Sequence, residues 1–286
     1  MMIVDSHVHV WKNDPRYPWA QETKNPPKED ATAEMLLELM AANGVARTVL
    51  IQVMYYRWDN RYAADVMRRY PDQFTGVCRV DPTSAHAPDD LEYWTREHKF
   101  HGVRLSPGGG AEGDWICGPM MDPLWKRCSE LRVPMTILTH VTRMPDIARL
   151  AERHPGLDVV IDHMAGCPPD RPDLLKLLLE LARYPRVFVK ISHTCVVSKE
   201  DYPYRDTHEQ VKRLYDAFGP RRLIWGTDWP VVERACSYAK ALAIVRDELS
   251  FLTAEDKEWV LGKTALGVWP FGGKGKGRGF GGEDEG

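Results

Sequence analysis

An eightfold alternation constrains this chain more than any other feature. Short runs rich in β-branched and apolar residues recur over residues 2–10, 47–55, 74–80, 102–106, 134–140, 157–163, 187–193 and 223–228. Between them lie segments with helical periodicity and clear stop signals. Ala33–Asn43 ends at Gly44, a natural C′ residue. Asp122–Leu131 stops before Pro134, and Met144–Arg153 runs into His154-Pro155-Gly156. Residues 173–184 stop at Pro185, and His208–Phe218 stops at Gly219-Pro220. Residues 234–249 supply an eighth helix. Thr253-Ala254-Glu255-Asp256 reads as a capping-box start for a last one, packing Trp259, Val260, Leu261 and Leu266. Strands alternating with helices of this length predict βαβ units and a parallel sheet. Eight of them predict an α/β fold of the (β/α)8 TIM-barrel type, as one domain over residues 1–271. A doubly wound open sheet would open on a Gly-rich first turn, and Ser6-His7-Val8-His9 is not one.

Composition is consistent with that reading. A chain of 286 residues holds one barrel of about 200–250 residues with little to spare. Residues 272–286 read GGKGKGRGFGGEDEG, a Gly-rich stretch that buries almost nothing and is expected to be a disordered tail. The net charge of −3 lacks the basic excess of a nucleic-acid binder. Six cysteines stand singly, with no CxxC pair, and no signal peptide precedes Asp5, so reduced thiols in a cytoplasmic protein are expected. No apolar run approaches the roughly 18 residues of a membrane span. The sequence also lacks GxSxG, Walker and Rossmann motifs in strand context, which removes serine-hydrolase, NTPase and dinucleotide readings.

Barrel enzymes place their chemistry at the C-terminal ends of the strands. His7 and His9 stand two apart at the end of strand one, so both face the same side. Two imidazoles on one face there are hard to explain as packing. Strand five ends at His140, strand six at Asp162-His163 and strand eight at Asp228. Imidazoles plus a carboxylate form a donor set that suits zinc.

These residues, in this order, resemble the amidohydrolase superfamily. Asp5-Ser6-His7-Val8-His9-Val10-Trp11, Tyr17-Pro18-Trp19, Gly102-Val103-Arg104-Leu105, Ile161-Asp162-His163-Met164-Ala165-Gly166 and Gly226-Thr227-Asp228-Trp229-Pro230 resemble its amidohydrolase-related branch, which holds pyrone, sugar-acid and sulfomuconolactone lactonases. The resemblance runs from Met1 to about Phe271. It implies metal ligation by His7, His9 and His140, with Asp228 as a fourth ligand, a general base, or both. It also implies that His163 acts as an acid/base or as a donor to the substrate carbonyl. Binuclear members bridge their metals through Lys or Glu at the end of strand four. Arg104 stands there instead and stays protonated, so at most one metal is implied. Some lactonases of the branch work without a metal and lack the strand-five histidine. This chain keeps His140, which favours one Zn²⁺.

Substrate contacts are expected from Arg104, Arg79 and Arg143, which could fork onto a carboxylate, and from Trp19, Tyr55 and His193. Trp11, Tyr56, Trp115 and Trp229 also follow strand ends. An aromatic-walled pocket with cations suits a planar or cyclic acid. Lys190 has the opposite strand parity and is expected to pair with a carboxylate, while Asp162 is expected to be structural. His86, His98, His101, His154 and His208 have no partner at ligand spacing and read as surface residues.

The implied function is hydrolysis of the ring ester of a small carboxylated or hydroxylated lactone, with water activated by zinc and Asp228. The alternative is non-oxidative decarboxylation of an aromatic or muconate-type acid, which the same histidine–aspartate pattern serves in other branches. Partners are expected to be small molecules, with neither nucleic acid nor membrane. No heptad decides whether the chain forms a homo-oligomer.

Overall fold

The computed structural model describes residues 1–106, 118 and 121–272. The predicted tail from residue 273 onward, and Trp115, lie outside the described residues.

Among the described residues, eight strands appear in the expected order: β1 (Ile3–Val8), β2 (Val45–Ile51), β3 (Phe74–Val77), β4 (Val103–Leu105), β5 (Met135–Ile137), β6 (Val159–Ile161), β7 (Val187–Ile191) and β8 (Leu223–Trp225). All pair in parallel, β1 to β3 in one run and β4 to β8 in another. Two bridges close the ring. Cys78 pairs with Val103 at one seam, and Val8 with Trp229 at the other. The fold is therefore a closed barrel.

The helices are α1 (Ala33–Asn43), α2 (Arg61–Arg69), α3 (Ala87–Arg96), α4 (Asp122–Leu131), α5 (Met144–Arg153), α6 (Pro172–Leu179), α7 (Thr194–Val197), α8 (His208–Phe218), α9 (Tyr238–Ala243), α10 (Ala254–Glu258) and α11 (Thr264–Val268). Local signals explain their ends. Thr32 Oγ accepts the N–H of Met35 at the start of α1, and Gly44 closes that helix at φ 69°. The capping box expected at Thr253 and Asp256 is present.

Two features differ from expectation. The strands are shorter than the apolar runs, because the chain leaves the sheet before the residues that carry the site. The eighth helix starts at Tyr238 rather than at residue 234, since the Ser237 hydroxyl caps it by accepting the N–H of Lys240. Helices α2 and α3, expected between the strands without bounds, each bury a narrow apolar stripe, Tyr62, Ala63, Val66 and Met67 in α2.

Val4, Val49, Ile51, Val77, Val160, Phe188 and Ile224 form one buried apolar cluster with Ala265 and Val268 of α11 and the Trp269 that follows it. The candidate site gathers at the C-terminal strand ends, where barrel enzymes place their chemistry. Among the described residues, no helix is long and apolar enough to cross a membrane.

Candidate active site

Both histidines of β1 turn towards Asp228, as their spacing requires. Nε2 of His9 lies 3.1 Å, and Nε2 of His7 3.4 Å, from the same Oδ1 of Asp228. Close approach of β8 to β1 makes this possible. A Cβ on Gly226 would sit 2.9 Å from both Cβ and N of His7, so only glycine fits there. Buried Asp5 fastens the same seam, accepting from the N–H and hydroxyl of Thr227 at 2.9 and 2.5 Å and from the N–H of His7 at 3.1 Å. Burial pushes the Asp5 carboxyl up to about 6 despite those bonds.

The rings are held from behind. His9 Nδ1 lies 2.7 Å from the carbonyl of Ile51, which can only accept, so Nδ1 carries the hydrogen and Nε2 presents a lone pair to Asp228. A bound cation, or a proton on Nε2, satisfies both atoms at this 3.1 Å separation. His7 Nδ1 lies 3.2 Å from Asp162 Oδ1 and 3.0 Å from Lys190 Nζ. His7 Nε2 and Asp228 Oδ1 are buried and make no hydrogen bond. These unsatisfied donor atoms fit a metal ion bound by His7, His9 and Asp228, whose ligand atoms lie within 4.8 Å of one another.

A buried charge network underlies the histidines. Asp162 accepts from Arg104 Nε at 2.9 Å and from Lys190 Nζ at 3.1 Å, and all three side chains are buried. Burial alone would raise the Asp162 carboxyl, but Lys190, His7 and Arg104 hold it well below its usual range. Desolvation lowers Lys190, with Asp162 opposing, and its ammonium lies 5.0 Å over the Trp269 ring. Burial and Lys190 push His7 down to about 3, which leaves it neutral and able to ligate.

His163 and His193 complete the floor. Their rings stack at 3.7 Å, and His193 Nε2 hydrogen-bonds Asp228 Oδ2. Burial, with His193 and His7 nearby, holds His163 well below its usual value, so it too is neutral. Burial would raise Asp228, but contacts with His193 and His9 and the proximity of His163 and His7 outweigh it and keep the carboxylate ionised. His163, His193 and Asp228 have φ of 51°, 61° and 66°, and Met164 and Ala165 continue the left-handed turn. Strain of this kind costs about 1–3 kcal/mol per residue and gathers where a site demands it. It also brings Asp162, expected to be structural, next to the site. The chain turns left-handed at His163, so Asp162 and His163 both reach the His7 ring, from opposite ends of the network.

Several expected contacts are not assembled. His140 lies exposed at the cavity wall, with Nδ1 held 3.0 Å from Thr142 Oγ1, and it does not join the His7–His9–Asp228 group. It stands three residues beyond β5, where the chain has already turned into the short helix Val141–Arg143. Arg143 pairs with Asp146 at 2.6 Å on the rim. Buried Arg79 donates to Ser106 Oγ at 2.9 Å and lies over Trp58. Trp19 stacks on Tyr56 at 4.7 Å, anchoring the loop after β1 instead of facing the cavity. Trp11 donates to the carbonyl of Glu29, a similar anchoring role.

Above the cluster opens a cavity of about 760 Å³. Arg104, Tyr55 and His193 line it as expected, together with His9, His163, Asp228 and the apolar Val53, Leu138 and Val231. Glu22, Lys24 and Arg57 line it from the loops after β1 and β2 and carry no strand-end signal in the sequence.

A (β/α)8 barrel with two β1 histidines converging on a β8 aspartate defines a class, the barrel hydrolases that act at their C-terminal face. The chain belongs to the amidohydrolase family, whose model matches residues 4–271. It is thus an amidohydrolase-superfamily enzyme. It is 32% identical over 233 residues to L-fucono-1,5-lactonase of Burkholderia ambifaria, covering 80% of each chain. It is 29% identical to 4-sulfomuconolactone hydrolase of Hydrogenophaga intermedia, over 79% of this chain and 74% of that protein. A solved Pseudomonas putida structure, a proposed 2-pyrone-4,6-dicarboxylic acid hydrolase, superimposes with a TM-score of 0.80 at 26% identity, covering 93% of this chain and 97% of that one.

Proposed function

We propose that the protein opens the ring ester of a small carboxylated or hydroxylated lactone, with one Zn²⁺ held by His7, His9 and Asp228. The observation that carries this reading is the buried convergence of two imidazole nitrogens on one ionised carboxylate oxygen. The lactone-hydrolysing relatives point the same way. A zinc ion bound there would supply Lewis acidity towards a carbonyl and lower the pKa of a coordinated water to about 7.

The chain's own groups account for the proton movements. Asp228, kept ionised by its histidine neighbours, takes a proton from the attacking water. Water oxygen bonds to the lactone carbonyl carbon, and the ring C–O bond then breaks. Asp228 returns its proton to the departing alkoxide, giving a hydroxy acid that ionises in solution. Neutral His163 has Nδ1 2.7 Å from the Ser192 hydroxyl. When that hydroxyl donates, Nε2–H is left to donate to the developing oxyanion. His193 orients the Asp228 carboxylate through Oδ2.

The test follows proton release and CO₂ separately on sugar lactones, pyrone and muconolactone acids, and aromatic carboxylic acids. Proton release without CO₂ supports the lactonase. Formation of CO₂ from an aromatic or muconate-type acid overturns it in favour of the decarboxylase.

A further inference from the structure

The wall of the cavity carries an arginine where the backbone favours glycine. Arg57 has φ 47° and ψ −109°. The N–H of Asp59 donates to the carbonyl of Tyr56 at 3.0 Å, closing a turn over residues 56–59. Arg57 thus takes the first central position with the angles of a type II′ turn, a place normally filled by glycine. Strained non-glycine residues persist where their side chains are needed.

That side chain lines the active-site cavity beside Glu22. Its Nε lies 3.8 Å from Glu22 Oε2, beyond hydrogen-bonding distance, and the two side chains are 46% and 59% exposed. The pair is therefore loose and wet, and a better-matched anion can displace Glu22. The remaining Lys and Arg residues among the described lining are Lys24 and Arg104, and Arg104 is committed to Asp162. Guanidinium is also the group best suited to receive a carboxylate in a two-pronged contact.

We infer that Arg57 determines substrate specificity by receiving a carboxylate that the lactone carries in addition to its ring ester. This inference rests on the lactone reading of the site. Glu22 is the anion beside Arg57 that the substrate carboxylate replaces.

The test separates the two readings by measuring binding without turnover. The probes are the hydrolysis-resistant lactam acid 6-oxopiperidine-2-carboxylate and the neutral 2-piperidone, titrated calorimetrically. Wild type is expected to prefer the acid, and Arg57→Gly to lower the acid-to-neutral affinity ratio by about tenfold, the loss of about 1.4 kcal/mol. Arg57→Lys should restore part of that ratio, and Glu22→Gln should raise it severalfold. Glycine relieves the turn, so Arg57→Gly should melt no lower than wild type. An equal preference in wild type, or a ratio unchanged in Arg57→Gly, overturns the inference whatever the activity. Loss of the ratio in a protein that opens no lactone would leave the subsite standing and remove the lactonase reading.

Discussion

In the proposed reaction Asp228 is the residue on which the chemistry turns, and three substitutions test it and its surroundings. Asp228→Asn preserves shape and the left-handed backbone, since Asn tolerates positive φ, but removes the base and the anionic ligand. Turnover should fall by at least about 10²-fold, the scale of general acid–base catalysis, while circular dichroism stays native. Retention of most activity would move the base elsewhere. The metal is tested separately. Protein purified without chelators should carry one zinc per chain, and His9→Ala should lower that content sharply. Zinc below about a tenth of an equivalent in the wild type would remove the metal from the proposal. His140→Ala gives a contrasting expectation. With its imidazole exposed and bonded to Thr142, it should leave zinc content close to wild type.

At the level of elements, the seam between β1 and β8 decides whether the site exists. Gly226→Ala would drive a methyl to within 2.9 Å of the His7 backbone and Cβ. Overpacking of this kind costs about 1–3 kcal/mol. Urea unfolding should show that loss, and the displaced His7 should bind zinc more weakly. Unchanged stability would mean the seam has slack the packing does not suggest. The seam also marks what was legible beforehand. The strand period of two places His7 and His9 on one face, and β8 follows at its expected spacing with Asp228 three residues past its end. Lys190 was readable as a carboxylate partner from its parity, but nothing in one strand shows that Asp162 of another will meet it inside a closed barrel. His140 stands apart from the His7–His9–Asp228 group where the chain enters the short helix Val141–Arg143, a turn that the apolar run before it does not announce. The left-handed turn at His163 was equally hidden, because no glycine announces it until Gly166.

Across the whole molecule, the barrel depends on a floor supplied by its last residues. Trp269, fully buried, lies under Lys190 and against Val77 and Gly102, so the C-terminal segment must stay fastened to the early strands. His101 is part of that fastening. It was expected at the surface, yet its Nδ1 lies 2.8 Å from Thr75 Oγ1 at β3, and its ring meets the backbone carbonyl of Pro270. Burial, followed by the charge of Lys99, lowers this histidine below its ordinary 6.5, with the Pro270 contact opposing. The sign follows from where protons bind. Below pH 6.5 the unfolded chain protonates His101 while the folded chain does not, so the unfolded state gains. The stability that His101 confers by staying neutral is full above that pH and is lost as pH falls towards the lower folded value. Melting temperatures from about pH 7.5 down to about pH 5.5 should therefore decline. In His101→Gln, which keeps a polar group near Thr75 but cannot titrate, the decline should be shallower. Identical slopes for the two proteins would show that the acid-side loss arises elsewhere, and that the C-terminal floor is held without regard to this imidazole's charge.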